Sequence, residues 1–534
     1  MAVRLASKLN LSPGGLNKYC NRYNRRSRNK ASVGEPAEGS SNHRPFNARK
    51  RSPLKRRNFC HSLKENDQSS AYMSPTLPVQ LPPSEIQDLV DDAIVWASQH
   101  GLLVGASSVS PAAVIHAPMS LLPAPFPRGE FCKARGVAPA FNLMIDAVSR
   151  DLGYLHETLE RAAAEDEFTA QLLRLSSELG PRCEDRVLAI NRSDYMLDEP
   201  SGRMLQVELN TIASSFGCLS NLVGNMHQYI TSRLEGGWTA GELPANEALE
   251  AIPAALAAAV SAYGGGVVLM VVQPGERNAY DQQWLQTNLW VNHRVRTIRR
   301  SLAEVAHQGR IGEDGKLRVG EHLVAVSYLR AGYTPDDYPS QVEWDGRKLL
   351  ETSDAFKCPS VAYQLAGTKK VQQDLARPEI LERFAKSPEL GKIRQHFAGL
   401  WSLDDLDDAS TVATVEDAIR RPSAYVLKPQ REGGGNNLYD EDLATKLKTW
   451  KGLSAYILMQ RILPPVNRSV LIRNGSWVEN NTLQELGVYG TFIRVGDRIL
   501  LNETAGHLVR TKADSSNEGG VAAGFAVLDS PYLV

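Results

Sequence analysis

The sequence predicts an α/β protein whose C-terminal third turns to antiparallel sheet. First, apolar helical patterns around 138–179, 281–305 and 367–400 alternate with short β-rich runs at 186–191, 205–209, 267–272 and 323–329. Second, from residue 425 onward the β-rich runs 425–428, 456–459, 469–472 and 488–494 follow one another between turn signals. Asn474-Gly475 is a strong hairpin turn and Gly496-Asp497 a second. Third, 534 residues exceed the roughly 100–200 of an ordinary domain, so two or three packed units are expected.

In chain order, the first 60 residues carry fifteen Lys and Arg against two acids, Glu35 and Glu38, with no apolar period. An Arg-rich, Ser-containing, acid-poor leader has the composition of an organelle transit peptide, and residues 1–9 have the pattern of a short basic amphipathic helix. The other reading is a basic tail, in which Lys50-Arg-Ser-Pro-Leu-Lys-Arg-Arg57 would meet nucleic acid or a nuclear import receptor. We take residues 1–80 as a disordered transit leader, which implies a plastid or mitochondrion after cleavage, or the cytosol.

Folding is expected to start at Ser84, where Ser-Glu-Ile-Gln reads as a capping box ahead of Ile86, Leu89, Val90, Ala93, Ile94 and Ala97, with Gly101 as the stop. The uncharged run 252–273 is long enough to raise the question of a membrane span. Pro253 and Gly264-Gly-Gly266 split it into an Ala-rich helix and a buried strand, so no membrane partner is expected. A formal net charge of zero gives no general pull toward nucleic acid. The six cysteines, Cys20, Cys60, Cys132, Cys183, Cys218 and Cys358, form no metal or disulfide pattern, which fits a reducing compartment.

The chemistry concentrates in Tyr425-Val-Leu-Lys-Pro-Gln-Arg-Glu-Gly-Gly-Gly-Asn-Asn-Leu-Tyr439. A strand delivers a lysine, and three glycines then leave backbone N–H groups open to an anion with no Cβ in the way. The segment is neither a Walker A loop nor a GxGxxG turn. On glycines alone a flexible loop reads as well. Lys428, Glu432, Asn436 and Asn437 favour phosphate with Mg²⁺, which prefers a carboxylate together with phosphate oxygens.

This segment resembles the glycine-rich loop of eukaryotic glutathione synthetases, an ATP-grasp ligase family. The resemblance runs from about residue 82 to the end, through Asn191-Arg-Ser-Asp-Tyr-Met196, Glu208-Leu-Asn-Thr-Ile212, Glu276-Arg-Asn278 with Asp281-Gln282, Arg330-Ala-Gly-Tyr333, Gln364-Leu-Ala-Gly-Thr-Lys-Lys370, Glu485-Leu-Gly487 and Gly506-His-Leu-Val-Arg-Thr-Lys512. It implies an ATP-grasp unit over 82–534, containing a substrate-binding subdomain at 264–367 and a lid subdomain at 400–480. The implied reaction joins γ-glutamylcysteine to glycine: ATP turns the dipeptide carboxylate into an acyl phosphate, which the glycine amine attacks. A homodimer is implied too.

Carried onto this sequence, the family's sites place Arg510, Lys428 and Gly433 at the reacting groups. Glu208, Asn210 and Glu432 would hold Mg²⁺, two ions per site; all are hard oxygen donors, and Glu208 and Asn210 share a strand face. ATP would meet Met196, Lys369, Lys428, Glu432, Gly433, Gly434, Gly435, Asn437, Tyr439, Met459, Gln460, Arg461, Ile462, Glu485, Lys512 and Glu518. The dipeptide would meet Arg192, Ser214, Ser215, Glu276, Arg277, Asn278, Gln282, Arg330, Tyr333 and Arg510. Arginine suits that role because its planar fork grips a carboxylate at two points. Val521, Ala522 and Ala523, in a loop with Gly519, Gly520 and Gly524, resemble the lid that selects the acceptor. Their small size implies glycine, with a homoglutathione-type ligase using β-alanine or another acceptor as the alternative. Ala213, Gln460-Arg461 and Glu518 depart from the family pattern.

Overall fold

The molecule is described by a computed structural model over residues 81–106, 113–180, 186–234, 242–276, 278–430, 436–517, 519–521 and 524–534. The expected leader at 1–80 lies outside the described residues. Helix α1 (Pro83–His100) buries Ile86, Leu89, Val90, Ala93 and Ala97, and stops where Gly101 turns left-handed (φ 72°) and donates its N–H to Ala97 O. Its start corrects the expectation: Pro82 is the N-cap, Ser84 lies inside the first turn, and Gln87 bonds Asp91 (3.0 Å) and accepts from the Trp477 indole (2.9 Å). Pro83 at the first helical position has no N–H in need of a partner, so the box is not required.

Helix α2 (Arg128–Ser149) leads toward the long strand β1 (Arg186–Asp198), buried along almost its whole length and paired antiparallel with β2 (Arg203–Asn210). Helices α3 (Gly217–Thr231) and α4 (Ala248–Tyr263) follow. The triple glycine then breaks the chain, Gly264 to Gly266 having φ of 98°, 104° and 131°, and a Cβ on Gly266 would lie 2.9 Å from Leu323 O.

The strand it releases, β3 (Val267–Val271), is buried at every residue, as a strand covered on both faces must be. Helix α5 (Ala279–His293), strand β4 (Thr297–Arg300), helix α6 (Leu302–Gln308), strand β5 (His322–Leu329), helix α7 (Gln341–Thr352) and strand β6 (Phe356–Cys358) continue the alternation. The neighbours β4–β3, β3–β5, β5–β6 and β6–β1 all pair parallel. The helical pattern expected around 281–305 holds for α5 and the start of α6, but between them Arg294 turns left-handed (φ 56°) and β4 adds an edge strand to β3.

Helix α8 (Lys369–Leu375) precedes a small antiparallel sheet of Leu400–Trp401, β7 (Tyr425–Pro429) and β8 (Tyr456–Gln460), with helix α9 (Asp440–Lys448) between the last two. It has its own core, including Leu403, Val415, Leu427, Leu443 and Leu458. Strands β9 (Asn467–Arg473), β10 (Ser476–Val495), β11 (Arg498–Ala513) and β12 (Ala526–Asp529) then join the large sheet. Asn474 (φ 51°) and Gly475 (φ 75°) form the two-residue turn between β9 and β10, and Gly496-Asp497 the turn before β11. Within the large sheet the order β12–β11–β10–β1–β6–β5–β3–β4 joins an antiparallel half to a parallel half at β1. Among the described residues no helix is long and apolar enough to cross a membrane. Cys132, Cys218 and Cys358 are buried, and burial pushes the thiols of Cys218 and Cys358 up.

Candidate active site

Four adjacent strands put charged side chains over one face of the sheet where its two halves meet. β1 carries Arg192 and Asp194, β2 carries Glu208 and Asn210, β10 carries Glu485 and β11 carries Arg510. In register, Arg192 faces Asn210, Asp194 faces Glu208 and Glu485 faces Arg510. The small sheet faces them across a cavity of about 320 Å³, supplying Lys428 from β7 and Met459 and Gln460 from β8, while Lys369 begins α8.

Lys369 Nζ lies 3.8 Å from Glu208 Oε2, and Lys428 Nζ donates to Val207 O (2.9 Å). Burial pushes the Glu208 carboxyl up, but Lys369, Lys428, Arg510 and Arg192 outweigh it and hold the group at about 2. Glu208 is therefore an anion at neutral pH. Asn210 Nδ2 donates to Asp194 Oδ2 (3.0 Å), which leaves its carbonyl oxygen as the acceptor. Arg192 donates from Nε and a terminal nitrogen to both oxygens of Asp194 (2.7 Å each). Arg510 donates to Asp194 (3.0 Å) and to Glu485. Burial raises Glu485, Arg510 opposing and Asp194 and Glu208 adding to the rise.

The loop 211–216 forms one wall, with Ala213 (φ 53°) and Phe216 (φ 69°) in the left-handed region. Asp281 secures it, accepting from the backbone N–H of Phe216 (2.9 Å), Cys218 (3.0 Å) and Leu219 (3.3 Å) at the start of α3. Arg330 lies 3.5 Å from Asp281 and donates to Ser215 Oγ (2.9 Å). Beyond it, Glu276 accepts from Asn278 N and Gln282 Nε2 (2.7 Å each), and Arg299 donates to Gln282 (2.7 Å). Ser214 Oγ, Asn278 Oδ1 and Arg330 Nε are buried without a hydrogen-bond partner.

Of the expected residues, Arg192, Met196, Glu208, Asn210, Ser214, Ser215, Tyr333, Lys369, Lys428, Asn437, Tyr439, Met459, Gln460, Arg461, Ile462, Glu485, Arg510, Lys512 and Val521 line the cavity. Glu276, Gln282 and Arg330 do not line it; of the three, Arg330 reaches its wall, through Ser215. Asn278 lines a neighbouring cavity of about 420 Å³ that shares Phe216 and Val521. Arg277, Glu432, Gly433, Gly434, Gly435, Glu518, Ala522 and Ala523 lie outside the described residues. Arg461, a departure from the family pattern, reaches Asp440 (3.1 Å) and Asn517 (3.3 Å) and lies over the Tyr439 ring (5.6 Å). Asp194, Asp514 and Asn517 were not singled out beforehand. For Asp194 the available signal was its alternation with Arg192, which puts both on one strand face.

A cation-rich cavity between a mixed sheet and a small lysine-bearing antiparallel sheet, with an ionised carboxylate among its lining residues, suits anionic substrates, and a family match makes the class an ATP-dependent ligase. The family model described as eukaryotic glutathione synthase, ATP binding domain, matches residues 83–533, and the chain belongs to that family. The chloroplastic glutathione synthetases of Solanum lycopersicum and Arabidopsis thaliana are 47% and 46% identical, each match covering 84% of this chain and 84% and 86% of theirs. The glutathione synthetase of Homo sapiens is 38% identical over 84% of this chain and 97% of its own. A glutathione synthetase-like effector from Globodera pallida, solved in the apo form, has the same fold, with TM-score 0.69 and 22% identity over 85% of this chain and 98% of that one.

Proposed function

We propose that the chain makes glutathione from γ-glutamylcysteine, glycine and ATP, and that the cavity described above is where it does so. The carrying observation is Glu208, held ionised among four cations that two anionic substrates would need. In the reaction the dipeptide's cysteinyl carboxylate takes the γ-phosphoryl group of ATP, releasing ADP. The glycine amine then attacks the acyl carbon, phosphate leaves with the C–O electron pair, and the amine loses a proton.

Lys369, Lys428 and Lys512 are the candidates for the phosphates, since fixed cations offset charge as it develops on the transferred group. Arg192 and Arg510 would grip a dipeptide carboxylate, and the unpartnered Ser214 Oγ, Asn278 Oδ1 and Arg330 Nε are polar atoms that a bound dipeptide could satisfy. The donors also suit Mg²⁺. Mg²⁺ takes hard oxygen donors and fills its remaining positions from phosphate and water. Glu208 and Asn210, with Glu432 beyond the described residues, would hold it; when bound it neutralises phosphate charge. The plant relatives are named chloroplastic, which supports a plastid address for the leader, and a homodimer is proposed on family grounds.

The test is phosphate release by the chain lacking residues 1–70, given γ-glutamylcysteine, ATP and Mg²⁺ with and without glycine. Release that requires all four supports the reading. Product formed without glycine or Mg²⁺ defeats it.

A further inference from the structure

We infer that Asp194 is a positioning residue: it holds the guanidiniums of Arg192 and Arg510 side by side at the cavity wall, in space that Gly487 leaves open. The inference rests on the reading that these arginines meet the dipeptide.

Asp194 is 0% exposed, and both its oxygens are used. Oδ1 accepts from Arg192 Nε (2.7 Å); Oδ2 accepts from Arg192 (2.7 Å), Arg510 (3.0 Å) and Asn210 (3.0 Å). Two guanidiniums this close would repel, and a buried carboxylate between them is what lets them sit together. The Asp194 fork also fixes Arg192, which lines the cavity, by holding Nε and one terminal nitrogen and so setting the plane of the guanidinium. Asp194 does not line that cavity itself, so it acts through the arginines.

Gly487 supplies an independent observation. It faces Asp194 in the β1–β10 register, and a Cβ there would stand 2.8 Å from Asp194 Oδ1 and 2.9 Å from Arg192 Cδ. Even an alanine would push the fork aside. The backbone at 487 is not left-handed, so the substitution acts by bulk alone.

The test compares Asp194→Asn and Gly487→Ala with wild type in the full chain. Asparagine keeps the shape but turns an N–H toward the arginines and removes the charge. The expected result is a KM for γ-glutamylcysteine raised ~10-fold or more and a smaller rise in the KM for ATP, since both dipeptide arginines lose their charged acceptor whereas toward the metal side only the Asn210 amide does. Gly487→Ala is expected to show the same split, and carries the test if Asp194→Asn does not fold. An unchanged dipeptide KM would overturn the inference. So would a parallel rise in both KM values with a lowered unfolding midpoint, which is the signature of a structural role. A wild-type chain without dipeptide-dependent turnover would overturn both this and the ligase reading, whereas active wild type with indifferent variants overturns only the positioning role.

Discussion

Burial alone would make Glu208 easier to protonate than a free glutamate, and the four cations around it reverse that. Each cation therefore acts twice, on any anionic substrate and on the charge state of this carboxylate. Lys428→Met is expected to lower turnover at least ~100-fold, the scale of losing one charge-stabilising group in a dry site, as phosphate release from soluble variant will show. Glu208→Gln should lose a comparable factor and raise the Mg²⁺ concentration needed for half-maximal rate; retained Mg²⁺ affinity would remove Glu208 from the metal site. Glu208 and Asn210 were singled out through the family resemblance; two residues apart on a strand they share a face, which alone reads equally well as an exposed polar strand. Asp194 was not singled out, because its contacts with Arg510 and Asn210 cross strands, the first over 316 positions.

Where elements meet, two further expectations arise. Gly346 of α7 lies so near α6 that a Cβ would fall 2.2 Å from Leu302 O. Gly346→Ala is expected to cost about 1–3 kcal/mol, visible as a lower thermal midpoint. Between β12 and α3, burial pushes the Asp529 carboxyl up to about 7 even though Thr511 and Ser530 donate to it, and burial pulls His227 down to about 4. The raised carboxyl gives stability that is complete below its ordinary 3.8 and lost as pH climbs through about 7. The depressed imidazole gives stability that is complete above its ordinary 6.5 and lost as pH falls through about 4. Across the shared range the slopes oppose. Asp529→Asn keeps only the second, so its melting midpoint should fall more steeply than wild type between pH 6.5 and 4. Legibility among elements followed burial. β3 was plain because it is apolar throughout. β10 was read only from 488, since its opening residues, Glu479, Asn480 and Asn481 among them, are polar and exposed, and β4 hid behind two arginines with only Ile298 buried.

For the molecule as a whole, the family match begins at residue 83 and the described fold at 81, so removing residues 1–70 should leave turnover unchanged. A loss of specific activity in soluble truncated protein would count against the leader reading. Glycine is expected to outcompete β-alanine in purified enzyme, on the small residues Ala522 and Ala523, and faster turnover with β-alanine would reassign the acceptor. The buried thiols have a bearing on this chemistry. An enzyme making a thiol peptide works surrounded by its own product and that product's disulfide. Exchange needs an accessible thiolate, and at Cys218 and Cys358 burial both denies access and keeps the proton on sulfur. At those two positions the chain is insulated from glutathionylation by the very substance it would release.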